Sequence, residues 1–163
     1  MIPLTDEEKA QYYYRSFAVV DGLWFMKAEE KHGFNAALAI DREVWSVLPK
    51  IQARILKSKM PSGAGLPALR EAIETKLTLE HYSFSVAEDG DGNGFTVSIY
   101  KCPWYDLMVK SGRERLAEKV GRAICPVEYG TWASEFGETI SVEFLALLCG
   151  GKECCIIQFS DKK

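Results

Sequence analysis

Apolar positions along the chain first recur at helical spacing, switch near residue 82 to strict alternation, return to helical spacing, and alternate again near the C-terminus. Thr5 with Glu8 reads as a capping box, and Tyr13, Phe17, Val20 and Trp24 then follow one helix face until Gly33 supplies a stop. From Phe34 the stripe Ala37, Ile40, Val44, Leu48, Ile51 and Ile55 predicts a second long helix. Pro49 should kink it by removing a backbone donor. The segment MPSGAGLP ends that helix, and Leu69, Ile73 and Leu77 mark a third, from about Ala68 to Glu80.

The period of two appears in Tyr82, Phe84 and Val86, and again in Phe95, Val97 and Ile99 after the turn EDGDGNG. A β-hairpin is expected there. Next come an amphipathic region from Pro103 to about Arg122 and a short helix from Pro126 to Phe136. A final strand pair, TISVEFLALL and CCIIQF, flanks Gly150 and Gly151. Neither hairpin is stable alone, so the order predicts an α+β fold. Its antiparallel sheet of about four strands would come from the two hairpins and pack against the long N-terminal helices and a central helix pair. A single domain over residues 1–163 is expected, with a helical part to residue 80 and a hairpin-helix-helix-hairpin part from 81 on.

Composition narrows the function. The 163 residues carry a net charge of −3, and the basic stretch from Lys110 to Arg122 is interrupted by Glu114 and Glu118. Phosphate neutralisation needs unopposed basic clusters, so nucleic acid is not an expected partner. The longest apolar run, Phe144 to Cys149, is too short to span a bilayer. The expectation is a cytoplasmic protein, with a homodimer through a free sheet edge as one option. Five cysteines are an odd number without secretory context, which favours reduced thiols.

Several chemical motifs fail on inspection. Asp89, Asp91, Asn93 and Gly94 match half of a calcium loop, but Tyr100 stands where the bidentate Glu belongs and the flanks read as strand. A glycine-rich hairpin turn explains the stretch better. PSGAGLP lacks the Lys-Ser/Thr pair of a phosphate loop. His32 and His81 sit at helix ends, where capping or surface roles suffice.

The cysteines carry more information. Cys102 and Cys125 each precede a proline, which suits the first position of a helix and pushes its predecessor toward N-cap geometry. As N-caps they would meet free amides and the positive end of the helix dipole, which favour thiolate. Asp106 and Glu128 follow within the same predicted first turns. In the tail, Cys155 shares a strand face with Ile157 and Phe159, Cys154 points the other way, and Cys149 ends the preceding strand. Cys102, Cys125, Glu128, Cys149, Cys154 and Cys155 therefore form a candidate site for zinc or a similar borderline metal. Separate buried thiols without any ligand are the competing reading.

The stretches GLWFMKAEEKHGFNAALAIDREVWSVLPKIQARIL, YKCP, ICPVEYG and GGKECCIIQF together resemble the L-2-amino-thiazoline-4-carboxylic acid hydrolase-like family. More remotely, the chain is similar to vinyl-reductase-type domains and to the sensor domains of phenol-responsive activators, where a cysteine-rich zinc site adjoins a ligand pocket. By that resemblance Cys102, Cys125, Glu128, and Cys154 or Cys155 occupy the family-type positions. Glu128 stands where many relatives carry Asp, which keeps a carboxylate and changes its reach.

Two functions are then expected. One is hydrolysis of a C–N bond in a small heterocycle or amide, with catalytic Cys125, Cys102 and Glu128 acting as thiolate and proton carrier, or with a metal activating water. The other is non-catalytic binding of a small ligand, with a structural metal or thiol cluster.

Overall fold

The computed structural model describes residues 2–90 and 92–161. Among these, the elements run α1 (Asp6–His32), α2 (Phe34–Val44), α3 (Leu48–Lys57), α4 (Gly65–Leu79), β1 (Ser83–Glu88), β2 (Gly94–Lys101), α5 (Pro103–Lys110), α6 (Glu114–Phe136), β3 (Ile140–Ala146), a 3-10 turn (Leu148–Gly150) and β4 (Cys155–Asp161). The fold is α+β, with a four-stranded antiparallel sheet in the order β1-β2-β4-β3.

The chain parts into two compact units, one up to Asp41 and the other from Arg42 on. The helical part expected to end near residue 80 thus contributes α3 and α4 to the second unit. In the first, Thr5 accepts from Glu8 N and the Glu8 carboxylate accepts from Thr5 N, completing the capping box. Gly33, with φ of 82°, closes α1 through a 2.8 Å bond from its N–H to the Glu29 carbonyl.

The second expected helix breaks where it was expected to kink. Residues 45–47 form turns, and Pro49 lies in the first turn of α3, where a missing N–H has no partner to lose. Opening a new helix thus costs less than bending an old one.

In the second unit, Phe95, Val97 and Ile99 of β2 and Ile157 and Phe159 of β4 alternate onto one sheet face and are buried beneath Leu69, Ile73 and Leu77 of α4 and Trp132 and Phe136 of α6. Each such side chain contributes about 1.5–3 kcal/mol through burial. The opposite face carries polar pairs, such as Ser85 with Tyr100 at 3.0 Å. That division is the one expected of an antiparallel sheet covered on one side.

The hairpin turn forms as read, although Asp91 of the calcium-like motif lies outside the described residues. Asp89 accepts from Thr96 Oγ1 and from Gln158 Nε2, each at 3.2 Å, so its carboxylate ties the turn to β4.

The central helix pair departs from expectation. The amphipathic region splits at Gly112, whose φ is 71°, and α6 then runs unbroken through Pro126. Cys125 is therefore inside a helix, not at its N-cap. Proline there costs about 3 kcal/mol. Burial of Ile124, Tyr129, Trp132 and Phe136 along one α6 stripe offsets that cost.

Candidate functional site

A buried charge cluster lies where α4 meets α6. Lys76 continues the Leu69 and Ile73 stripe of α4 and is only 3% exposed. Its Nζ is 2.8 Å from Glu80 Oε2, one helical turn on, and 2.8 Å from Glu128 Oε1 on α6. The ammonium also stands 5.4 Å from the ring centre of Tyr82 and 5.6 Å from that of Tyr129. Gln52 Nε2 donates to Glu80 Oε1 at 3.4 Å.

Burial is the largest influence on Lys76 and pulls its pKa down. The carboxylates of Glu128 and Glu80 more than reverse it, so the ammonium is held above its ordinary range. With both carboxylates charged, the cluster carries one net negative charge. Tyr82 and Tyr129 are pushed well up, first by burial and then by neighbouring thiols and carboxylates, and stay neutral phenols.

The sequence pattern did not single out Lys76. The signal was present as a lysine inside an apolar stripe with Glu80 four residues on, the spacing of a helical ion pair.

The thiols gather nearby, but not as thiolates. Cys102 does precede α5 in the extended conformation, with φ −112° and ψ 113°. Its pKa is nevertheless raised to about 11, because burial outweighs the amides of Tyr105 and Trp104 and the Tyr82 hydroxyl that draw it down. Desolvation thus defeats the helix dipole, and the expected low pKa is reversed. Cys125 is driven well up by burial, then by Glu128, Cys102, Cys149 and Cys155.

Cys149, on the 3-10 turn, is also raised by burial, with Cys155 adding to it. Cys155 opens β4 on the core side; burial raises it, while the Leu148 N–H donates to its Sγ at 3.2 Å. Cys154 precedes β4, outside the strand in which it was read.

Cys102, Cys125, Cys149, Cys155 and Glu128 thus share a neighbourhood, and Cys154 lies to its side. Among the described residues no group of three or more His, Cys, Asp or Glu is arranged to hold a metal ion. The Glu128 carboxylate is committed to Lys76, and burial favours the protonated form of Cys102, Cys125, Cys149 and Cys155.

A groove of about 250 Å³ opens beside this cluster. Arg122 and Pro126 of α6, one residue along from Gly121 and Cys125, line it together with Phe144, Leu147, Gly150 and Lys152. The β3–β4 register shifts between Phe144 and Ala146, and such a bulge bends a strand and re-aims its side chains. Residues 144–147, which span that shift, line the groove. Arg122 donates through Nε and Nη2 to Glu118 Oε1 at 2.9 and 2.8 Å, which orients its guanidinium.

Fold and site together define a small α+β protein with a sheet covered on one face, a buried lysine–carboxylate–thiol cluster and a groove beside it. The chain belongs to a family of unknown function, DUF6125, whose model matches residues 8–154. That span takes in Lys76, Glu128 and four of the five cysteines, stopping just before Cys155. No curated protein matches the chain. Among the described residues, no helix is long and apolar enough to cross a membrane.

Proposed function

We propose that this protein binds a small organic anion, a carboxylate with an apolar body, in the groove between α6 and the end of β3, and that it does so without covalent chemistry. The observation that carries this reading is that Arg122 and Lys152 line the groove together with Pro126, Phe144 and Leu147. Cationic side chains hold an acid group by charge-assisted hydrogen bonds, and apolar lining takes a hydrocarbon part. All five cysteines are free thiols, which supports a reducing, cytoplasmic setting.

The hydrolase reading, which follows from the family resemblance, has less support. At pH 7 a thiol with a pKa of about 11 is ionised in roughly one molecule in 10,000, which leaves Cys102 a poor nucleophile. Glu128 is already engaged by Lys76.

The test is calorimetric titration with small aromatic and aliphatic carboxylates, each beside its neutral amide. Saturable binding of a carboxylate, weakened about tenfold or more in the amide and in Lys152→Ala, is expected, since a hydrogen bond to a charged group contributes about 1.5–3 kcal/mol. Equal binding of acid and amide, or binding that survives Lys152→Ala with Arg122→Gln, would reject the groove as an anion site. Release of ammonia or amine from an amide substrate, lost in Cys102→Ser, would restore the hydrolase reading.

A further inference from the structure

Gly121 lies on α6 one turn before Cys125, and its missing side chain leaves a gap that two sulfurs share. A Cβ built on Gly121 would stand 2.7 Å from Cys149 Sγ and 3.9 Å from Cys125 Sγ. The nearer thiol fills the space that any larger residue would claim. In a helix a side chain leans back over the preceding turn, which aims Cys125 at the same gap.

Cys149 itself sits on the 3-10 turn Leu148–Gly150, followed by Gly151 at φ 80°, a short and pliable support. Both thiols are half-buried, but Cys125 is fixed in the middle of a long helix, so Cys149 on its short turn is the one that can move to meet an oxidant.

From this juxtaposition we propose that Cys125 and Cys149 form a reversible disulfide that locks the 3-10 turn onto α6. A small-molecule disulfide of the glutathione type is the oxidant. The Cys149 thiolate attacks one of its sulfurs, a mixed disulfide forms, and one small thiolate leaves. Cys125 then gives its proton to solvent and its sulfur attacks the Cys149 sulfur, releasing the second small thiolate. Two protein thiols are oxidised and one small disulfide is reduced to two thiols.

Cys155 is the rival partner of Cys149. Its sulfur already accepts from the Leu148 N–H at 3.2 Å, and its backbone is paired with Ile99 in the sheet, so it has less freedom to turn toward Cys149.

The chain itself makes the assignment readable. No Lys or Arg lies between Ala123 and Gly151, so cleavage after basic residues keeps Cys125 and Cys149 in one fragment, with Cys154 and Cys155 in the next. The full chain is incubated with oxidised glutathione, free thiols are blocked with N-ethylmaleimide, and fragments are weighed with and without reductant. The expected result is an Ala123–Lys152 fragment lighter by two hydrogens, bearing no maleimide. Reduction reverses the change, and further cleavage after Glu128 leaves its two cysteine pieces linked.

Cys149→Ser should abolish that species, and Cys154→Ser should leave its yield unchanged. Gly121→Ala, in which the new methyl displaces Cys149, should slow its formation several-fold while the circular dichroism spectrum stays native. The proposal is overturned by a crosslink from the Ala123–Lys152 fragment to the one bearing Cys154 and Cys155, by a glutathione adduct on Cys149 that never resolves, or by two maleimides on that fragment after oxidation.

Discussion

Replacing Lys76 by methionine tests the buried cluster directly, because it removes the cation and nearly conserves volume. At 2.8 Å and an effective dielectric constant near 20, each Lys76–carboxylate contact is worth about 6 kcal/mol of Coulomb energy before desolvation is counted. Much of that gain goes to offset the cost of burying three charges. The net loss on removing one partner of such a cluster is typically about 3–5 kcal/mol, since uncompensated buried charge remains. A domain of this size has about 5–15 kcal/mol in total, so Lys76→Met should fold with a much reduced margin.

Urea unfolding followed by circular dichroism at pH 7.5 should show the midpoint falling by about 2 M with an unchanged slope. Adding Glu80→Gln and Glu128→Gln to Lys76→Met should restore most of the midpoint. A single variant whose midpoint moves by less than about 0.5 M would show that the three charges are not coupled as described.

Three other positions give testable outcomes. A Cβ on Gly94 would lie 2.6 Å from the Phe159 carbonyl oxygen, which cannot retreat without breaking the β2–β4 ladder, so Gly94→Ala should cost about 2–3 kcal/mol in chemical denaturation. His81 holds φ of 61° as the left-handed residue closing α4, with its N–H on Thr78 O and the Tyr82 N–H on Leu77 O; His81→Gly should therefore raise the melting temperature, with a gain of about 1 kcal/mol. Burial lifts Cys102 from an ordinary value of 9.0 to about 11, so the native chain keeps a proton that the unfolded chain loses. Stability should fall as pH rises from about 9 through 11, by roughly 3 kcal/mol from this thiol, and Cys102→Ala should flatten that decline in denaturation curves taken across the range.

Both hairpins, the α1 cap at Thr5 and the core side of β4 were legible in the sequence, because each rests on local chemistry. Alternation placed Phe95, Val97 and Ile99 correctly, and Ile157 and Phe159 beside them. The errors lie where tertiary packing overrides a local rule. Pro126 reads as a helix start to anyone counting donors, yet Tyr129, Trp132 and Phe136 beyond it and Ile124 before it make one stripe that the core holds together.

Cys125 was misplaced for the same reason, and with it went the argument for a low pKa. Burial of Cys102 could not be read from its neighbours, so the dipole was weighed without the desolvation that exceeds it. Lys76 was passed over because charged residues inside an apolar stripe are usually surface interruptions. Its two partners come from one turn along α4 and from a helix some fifty residues later.

The strand order carries a kinetic consequence. β4 fills the slot between β2 and β3, and its pairing with β2 joins residues 94–99 to residues 155–160, across two intervening helices. Closing so long a loop is entropically slow, and sheets that depend on distant pairings assemble more slowly than helix pairs do. During synthesis, β1, β2 and β3 all emerge before the strand that joins them, and until residues 155–161 leave the ribosome both inner ladders stand open to wrong partners.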